Sequence, residues 1–387
     1  MKSSLFLLLI LGVFSAVASH ADVKVNDALL RFSLKMLAEE KKENTVMSPF
    51  SLAMAIAAVN EGAEGRTSQE IDNAVFNGVS KQHINAWYNS KLSNFESLKS
   101  SPLSVASAIY VQKDFGIRRE YVNSVKENFH AALKLANFRD EADQETKNIN
   151  KFVNESTHGH IPELLKEGDL DEDARLVAVN ALYMEAAFKK EFLEYATNPR
   201  KFRNEDGSEK EVPTMFNSFD DLVSMNHELF DYAQIPFTDD SFRFFVLVPK
   251  TMDLGDFLKH FANSNESLME IARQAHSCSS VHVTMPKFNV SSNVQPTNKL
   301  KKLGMKSVFS EREADLSGIS GDLYLSDVAH IATMEVTEKG VKASAAAAAI
   351  SRVWKSGGGC FRVVDASRPF LYGITHIGTP LFVGKYY

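Results

Sequence analysis

The chain has 387 residues and, with 43 basic against 49 acidic side chains, a formal charge of −6. That balance excludes a broad basic footprint for nucleic acid or for an anionic membrane. A composition of 44% apolar and 24% charged residues excludes a disordered chain, and two cysteines exclude a disulfide-built scaffold.

The N-terminus reads as a secretory signal: Lys2 is the basic start, Leu5–Val13 a continuous apolar run, and Ala16-Val17-Ala18 a small-x-small cleavage site. The run is well short of the ~20 residues of a spanning helix. The expectation is a signal peptide over 1–18 and a soluble, secreted, extracellular remainder over 19–387. Secretion gives meaning to three N-x-S sequons, at Asn154, Asn265 and Asn289. Asn289 follows a strand-like run and is expected to be the least accessible. Cys278 and Cys360 have three open outcomes: pairing with each other, staying free, or pairing with another chain.

In chain order, Val25–Lys42 carries apolar residues at helical spacing, and Ser48-Pro49 opens a second helix over Phe50–Asn60. Thr67-x-x-Glu70 reads as a capping box at the start of a third. Val105–Gln112, Ala174–Ala187, Phe242–Pro249 and Val281–Phe288 read as strands, and Leu254–Ala275 as a helix. Helices and strands mix without a βαβ rhythm, no linker divides the chain, and an α+β single domain is predicted. Residues 343–349 form an alanine-rich run, and Gly357-Gly358-Gly359 follows.

Motifs for enzyme chemistry are missing: no GxSxG, HExxH, GxxxxGK or CxxC occurs. Glu155-x-x-His158-x-His160 reads as a surface turn rather than a metal site, and no metal or cofactor is expected. His282 and His330 sit in apolar runs and read as core histidines. Lys81, Lys91 and Lys99 are too dispersed to bind a heparin-like polyanion.

The remaining motifs fall in the order of one family. Asn44-Thr-Val-Met-Ser-Pro-Phe-Ser51 resembles N-x-x-x-SPxS, and Glu61-Gly-Ala-Glu-Gly-Arg-Thr67 resembles GAxxxT. Asn148-Ile-Asn150 with Thr157-His-Gly-His-Ile161 is similar to INxWV…TxGKI, with His160 in place of lysine. Leu176–Tyr183 is similar to LVLVNAIYF. Pro286-Lys-Phe288, Leu303-Gly304-Met305, Ala314-Asp315-Leu316, Glu335–Gly340 and Arg368-Pro-Phe-Leu-Tyr372 complete the series. Over nearly the whole chain, from Val25 onward, the sequence resembles the serpins.

That resemblance implies a single domain of about nine helices and three β-sheets with an exposed reactive loop at about 338–362. It implies a suicide-substrate inhibitor rather than an enzyme, acting as a monomer on a serine protease, with no nucleic acid or membrane partner. Glu338 and Gly340 would form the loop's hinge, with Val341, Ala343 and Ala345 beginning an arm that inserts into the central sheet after cleavage. Side chains alternate along a strand, so Val341, Ala343, Ala345, Ala347, Ala349 and Ser351 would share the inward face, and all are small or medium and uncharged. Counting from Gly340 as the family does, the cut falls at Trp354–Lys355. Trp354 suits a chymotrypsin-like pocket, whereas Arg352 or Lys355 would suit a trypsin-like one. A non-inhibitory carrier, storage or binding protein is the alternative. Val341 replaces the usual Thr or Ser, Phe188 the tryptophan beneath the loop, and Ser367 the usual Asn or Asp, which puts opening of the sheet in question.

Overall fold

The computed structural model describes residues 20–97, 103–294, 296–341 and 359–387. Its helices are α1 His20–Ala38, α2 Pro49–Asn60, α3 Gly65–Ile71, α4 Lys81–Ser97, α5 Arg119–Phe129, α6 Phe138–Ser156, α7 Leu254–Asn263, α8 Leu268–Arg273 and α9 Pro296–Lys302. The strands of the N-terminal half are β1 Thr45–Met47, β2 Leu103–Gln112, β3 Ala132–Ala136, β4 Leu176–Met184 and β5 Ala186–Ala187. Next come β6 Asn198–Arg203, β7 Glu209–Phe219, β8 Leu222–Asn226, β9 Phe230–Pro236 and β10 Phe242–Pro249. The last are β11 His276–Cys278, β12 Ser280–Pro286, β13 Phe288–Val294, β14 Leu325–Thr337, β15 Gly340–Val341, β16 Phe361–Asp365, β17 Phe370–His376 and β18 Thr379–Tyr386.

They form three sheets in one α+β domain. The central sheet runs β3-β2-β4-β14-β15-β5, with β13 also paired to β14. A four-stranded sheet runs β16-β12-β7-β6, and a seven-stranded sheet runs β1-β18-β17-β10-β9-β8-β11. The near-continuous apolar runs of β4 and β10 are buried on both faces, as strands covered on two sides must be. Helix α2 is buried along its whole length and is apolar all round. Ser48 caps it by accepting from the Ser51 amide at 3.1 Å, and Pro49 fills the first turn, where its missing N–H costs nothing.

Two apolar layers clasp the central sheet. On one face α6 and the segment after it bring Phe138, Ile149, Val153, Ile161 and Leu164 against β2, β4 and β14. The main core fills the other side, from α1 and α2 to the seven-stranded sheet. No helix among the described residues is long and apolar enough to cross a membrane.

Several local expectations are corrected. Thr67 and Glu70 make no capping box: Glu64 stands at the cap of α3, and Thr67 lies within the helix. Thr67 Oγ1 instead accepts from the Asp315 amide at 3.0 Å, and Glu70 accepts from the Lys306 and Ser307 amides and the Ser307 hydroxyl at 2.7–2.9 Å. Burial alone would raise the Glu70 pKa, but those bonds and Arg66 hold it at about 2. Both side chains pin a distant loop rather than their own helix. The first helix occupies 20–38 rather than Val25–Lys42. The Ala174–Ala187 run is two strands, β4 and β5, parted at Glu185. Val281–Phe288 ends at Pro286, with Phe288 opening β13 after Lys287. The Leu254–Ala275 helix is broken at 264–267, where Ser267 caps α8 by accepting from the Glu270 amide.

Candidate functional site

The hinge is built from the end of β14. After Thr337 the chain turns through Glu338 and Lys339 and returns as β15, antiparallel to β14, with Val341 opposite Val336 and Gly340 opposite Thr337. On its other side β15 is antiparallel to β5, Gly340 facing Ala187 and Val341 facing Ala186. Two residues of the predicted arm are therefore seated as a wedge between β14 and β5. Gly340 has φ +142°, and a Cβ there would lie 2.2 Å from the Ala186 carbonyl oxygen. Only glycine fits both the angle and the gap. Val341 is buried, so its replacement of the family's Thr or Ser adds apolar area to the wedge.

Polar groups fix the turn. The Glu338 carboxylate accepts from Lys287 Nζ at 2.9 Å and from Thr197 Oγ1 at 2.8 Å. Its carbonyl accepts from the Phe192 amide and the Lys339 carbonyl from the Phe188 amide, each at 2.8 Å. Burial disfavours the Glu338 charge, but Lys287, the turn's backbone and Thr197 outweigh it and hold the carboxyl below its ordinary range.

Phe188 stands where the family carries the tryptophan. It is buried under the wedge, stacked on Phe237 at 5.2 Å and edge-on to Phe192 and Phe244, each at 5.9 Å. The aromatic floor that a tryptophan would supply is present, assembled from four phenylalanines.

Below the wedge, β4 and β14 are zipped directly together in a parallel ladder from Leu176 opposite Leu325 to Leu182 opposite Ala332. Asn180 and His330 face each other in its middle, both fully buried. His330 Nε2 accepts from the Ser48 amide at 3.1 Å, and burial holds its pKa at about 3, so the ring is neutral. Among the described residues, the Asn180 amide and His330 Nδ1 have no hydrogen-bond partner. Buried unpaired polar atoms cost about 1–3 kcal/mol each, so the closed ladder carries a penalty at its centre. A strand continuing β15 downward would run antiparallel to both neighbours, replacing one parallel ladder by two antiparallel ones.

The segment after α6 crosses this ladder. Asn150 accepts from the Leu164 and Leu165 amides at 2.9 Å and donates to the Leu165 carbonyl at 2.7 Å. From the far side, Asn293 of β13 donates to the Leu164 carbonyl at 2.7 Å.

Of the sequence-predicted residues, Glu338, Gly340 and Val341 thus lie together in the hinge. Ala343, Ala345, Trp354 and Lys355 lie outside the described residues, as does the signal segment. Asn265 is exposed between α7 and α8, Asn154 is half-buried in the last turn of α6, and Asn289 is exposed on β13, between buried Phe288 and Val290. Alternation along the strand turns Asn289 outward, contrary to the expectation that it would be the least accessible. Cys278 and Cys360 form a disulfide with Cα atoms 5.1 Å apart. His330 is a core histidine, while His282 is half-buried between Phe216 and Phe361. His158 and His160 form no metal cluster among the described residues, and His160 stacks on Tyr183. Sequence reasoning missed Thr197, Phe192 and Asn293, whose roles depend on contacts across 129 to 146 residues of chain. Lys287 was legible only as the middle of Pro286-Lys-Phe288.

Comparison with known proteins agrees with this geometry. A family model described as "Serpin (serine protease inhibitor)" matches residues 26–387. The leukocyte elastase inhibitor of Xenopus tropicalis is 30% identical over 357 residues, covering 89% of this chain and 92% of that protein. The human leukocyte elastase inhibitor is 28% identical over 386 residues, covering 94% and 99%. Among solved structures, the thermophilic serpin tengpin in its native state matches with a TM-score of 0.82 at 22% identity, covering 94% and 93%. Serpin48 of the insect Tenebrio molitor matches at 0.78 and 25%, covering 95% and 99%. With the family model spanning nearly the whole chain and the wedge seated where a loop would begin to insert, this protein belongs to the serpin family.

Proposed function

We propose that the chain is a secreted suicide-substrate inhibitor of serine proteases with a chymotrypsin-like pocket. The observation that carries the reading is the wedge: β15 is antiparallel to strands on both sides, and the arm that follows has only small or medium uncharged residues at its inward positions. The protease's serine hydroxyl attacks the Trp354 carbonyl, the Trp354–Lys355 peptide bond breaks, and Lys355 leaves with the proton on its new amine. The acyl ester then tethers the protease to the arm. Insertion from Gly340 to Trp354 carries that tether roughly 46 Å, at ~3.3 Å per residue. Two antiparallel ladders replace the one parallel ladder with its unpaired polar centre, and this gain drives the trap.

The relatives' names concern leukocyte elastase. Trp354 is too large for a small elastase-type pocket, which favours a chymotrypsin-like target for this chain. Secretion is supported by the basic-apolar-small pattern of residues 1–18, by the formed disulfide, and by the exposed Asn265 and Asn289, with Asn154 less open as a glycan site.

Mixing the protein with chymotrypsin and running a denaturing gel tests the reading. A denaturation-resistant complex, with release of a peptide beginning at Lys355, is expected. A complex with trypsin alone would keep the mechanism and move the cut beside Arg352 or Lys355. Cleavage by both enzymes with no complex would replace the proposal by a non-inhibitory carrier or storage role.

A further inference from the structure

The disulfide joins two places of unequal rigidity. Cys278 is fully buried at the end of β11, which pairs with β8 in the seven-stranded sheet. Cys360 is exposed, one residue before β16, where the distal end of the reactive loop rejoins the fold. Strand β16 is an edge strand with a single neighbour, bonded in parallel to β12 over the five residues from Ser280 opposite Phe361 to Thr284 opposite Asp365. Phe361 and Val363 are 60% and 46% exposed, and Val364 is the one strand residue in the core. Little apolar area holds this strand, and beyond its ladder with β12 it is tied down by Arg362, which donates to Ser224 and His276, so it is an edge strand that can peel once those polar contacts break. The covalent bond sits at its free end.

We propose that the Cys278–Cys360 disulfide is a one-way lock, blocking full insertion of the uncut loop while leaving the cut arm free to insert. The proposal rests on the inhibitory reading above. Lys287, the residue after β12, is ion-paired to Glu338, and β16 ends beside the end of β12, so the chain after β16 rejoins the body at the hinge end of the central sheet. An uncut arm inserted from Val341 to Trp354 descends roughly 43 Å, at ~3.3 Å per residue, and the chain must then climb back. From Trp354 to Cys360 there are six steps, which span ~20 Å when fully extended. If β16 peels as far as Ser367, whose carbonyl is held by the Arg203 amide, thirteen steps are available and span ~44 Å. Uncut insertion therefore becomes geometrically feasible when the 278–360 bond is absent and β16 can leave β12. Cleavage at Trp354–Lys355 removes the requirement, because the arm is no longer joined to Cys360.

The test follows insertion without using protease inhibition. Three proteins are compared: the native chain, the native chain reduced with dithiothreitol and alkylated (two thiols form as the reagent cyclises to its own disulfide), and the double variant Cys278→Ala/Cys360→Ala. Each is warmed uncut, then assayed by intact mass, by susceptibility of 342–358 to thermolysin, and by urea midpoint. Both forms lacking the bond should become uncut, thermolysin-resistant and more urea-resistant at least tenfold faster than the native chain. Equal rates, or no conversion in any form, would overturn the lock. A second arm cuts the native, oxidised chain with thermolysin and measures its urea midpoint. A rise there with no effect of the disulfide sinks the lock alone; no rise sinks the insertion reading and the lock with it.

Discussion

Asn293 donates a hydrogen bond to the Leu164 carbonyl, 2.7 Å away, and the bond crosses the line along which the central sheet would open. Asn293 belongs to β13, which is fixed to β14, whereas Leu164 is held by Asn150 of α6, a helix seated on β2 and β4. Inserting one strand moves the two halves apart by about 4.8 Å, a separation no single hydrogen bond spans. The pair is a latch on the closed sheet. Asn293→Ala should lower stability by about 1 kcal/mol and speed insertion of the cut arm roughly two- to tenfold, the net worth of one such bond. The rise in urea resistance after loop cleavage, followed in time, gives the rate; an unchanged rate would deny Asn293 that role.

Gly340→Ala should expel the wedge. A φ of +142° is a glycine conformation costing about 1–3 kcal/mol for other residues, and the added Cβ would meet backbone rather than a yielding side chain. Thermal unfolding should shift down by several degrees, and the stoichiometry of inhibition should rise as more loops are cut before insertion. Unchanged values for both would show that β15 contributes nothing to insertion.

Glu338 links the hinge to β12 through Lys287. Glu338→Gln keeps an acceptor for Thr197 but loses the charge-assisted bond, worth about 1.5–3 kcal/mol when buried and less here because Lys287 is half-exposed. Lys287→Ala should produce a similar loss, and the double variant little more than either alone. The Glu338 pKa is lowered in the fold, so its contribution is complete above the ordinary carboxylate pKa and fades as pH falls through the lowered one. Urea midpoints of wild type and Glu338→Gln should therefore converge in acid. A constant gap down to the lowest pH tolerated would argue against the ion pair.

His330 has the opposite chemistry and the same direction. Burial holds it neutral to about 3, and His376 to about 4 through burial and the nearby Lys91 charge, against 6.5 when unfolded. Between pH 6.5 and those values the unfolded chain binds protons that the folded chain does not, so each histidine removes stability as pH falls, by up to ~1.4 kcal/mol per pH unit. His330→Gln, which can still accept from Ser48, should flatten the stability profile between pH 6 and 4 by one proton. A slope equal to wild type would place the titration elsewhere.

What was legible in the sequence was what local chemistry decides. The FRFFVLVP run became β10 over the same residues, and Ser48-Pro49 opened α2 where expected, because caps and apolar runs act within a few residues. The hinge residues were legible only through family resemblance. Nothing local marks a two-residue strand such as β15, whose pairing is set by β5 more than 150 residues earlier. Thr67 and Glu70 fit a capping pattern and were taken by a stronger use, holding the chain at 306–315. The cysteine pairing and the Asn293 latch were unreadable for the same reason: each is a meeting of distant segments, fixed by the fold.

The parallel ladder between β4 and β14 also bears on how the molecule is made. Leu176 and Leu325 are 149 residues apart, and such remote pairings form late. The β14–β15 hairpin, by contrast, closes across two residues, Glu338 and Lys339. If it lengthened before β4 docked, the arm would occupy the place of its own rival and the chain would be spent before meeting a protease. Synthesis from the N-terminus works against that outcome, since β4 is complete long before β14 emerges. On the proposed inhibitory reading, the active form is then the winner of a race, preserved by the height of a barrier rather than by the depth of its well.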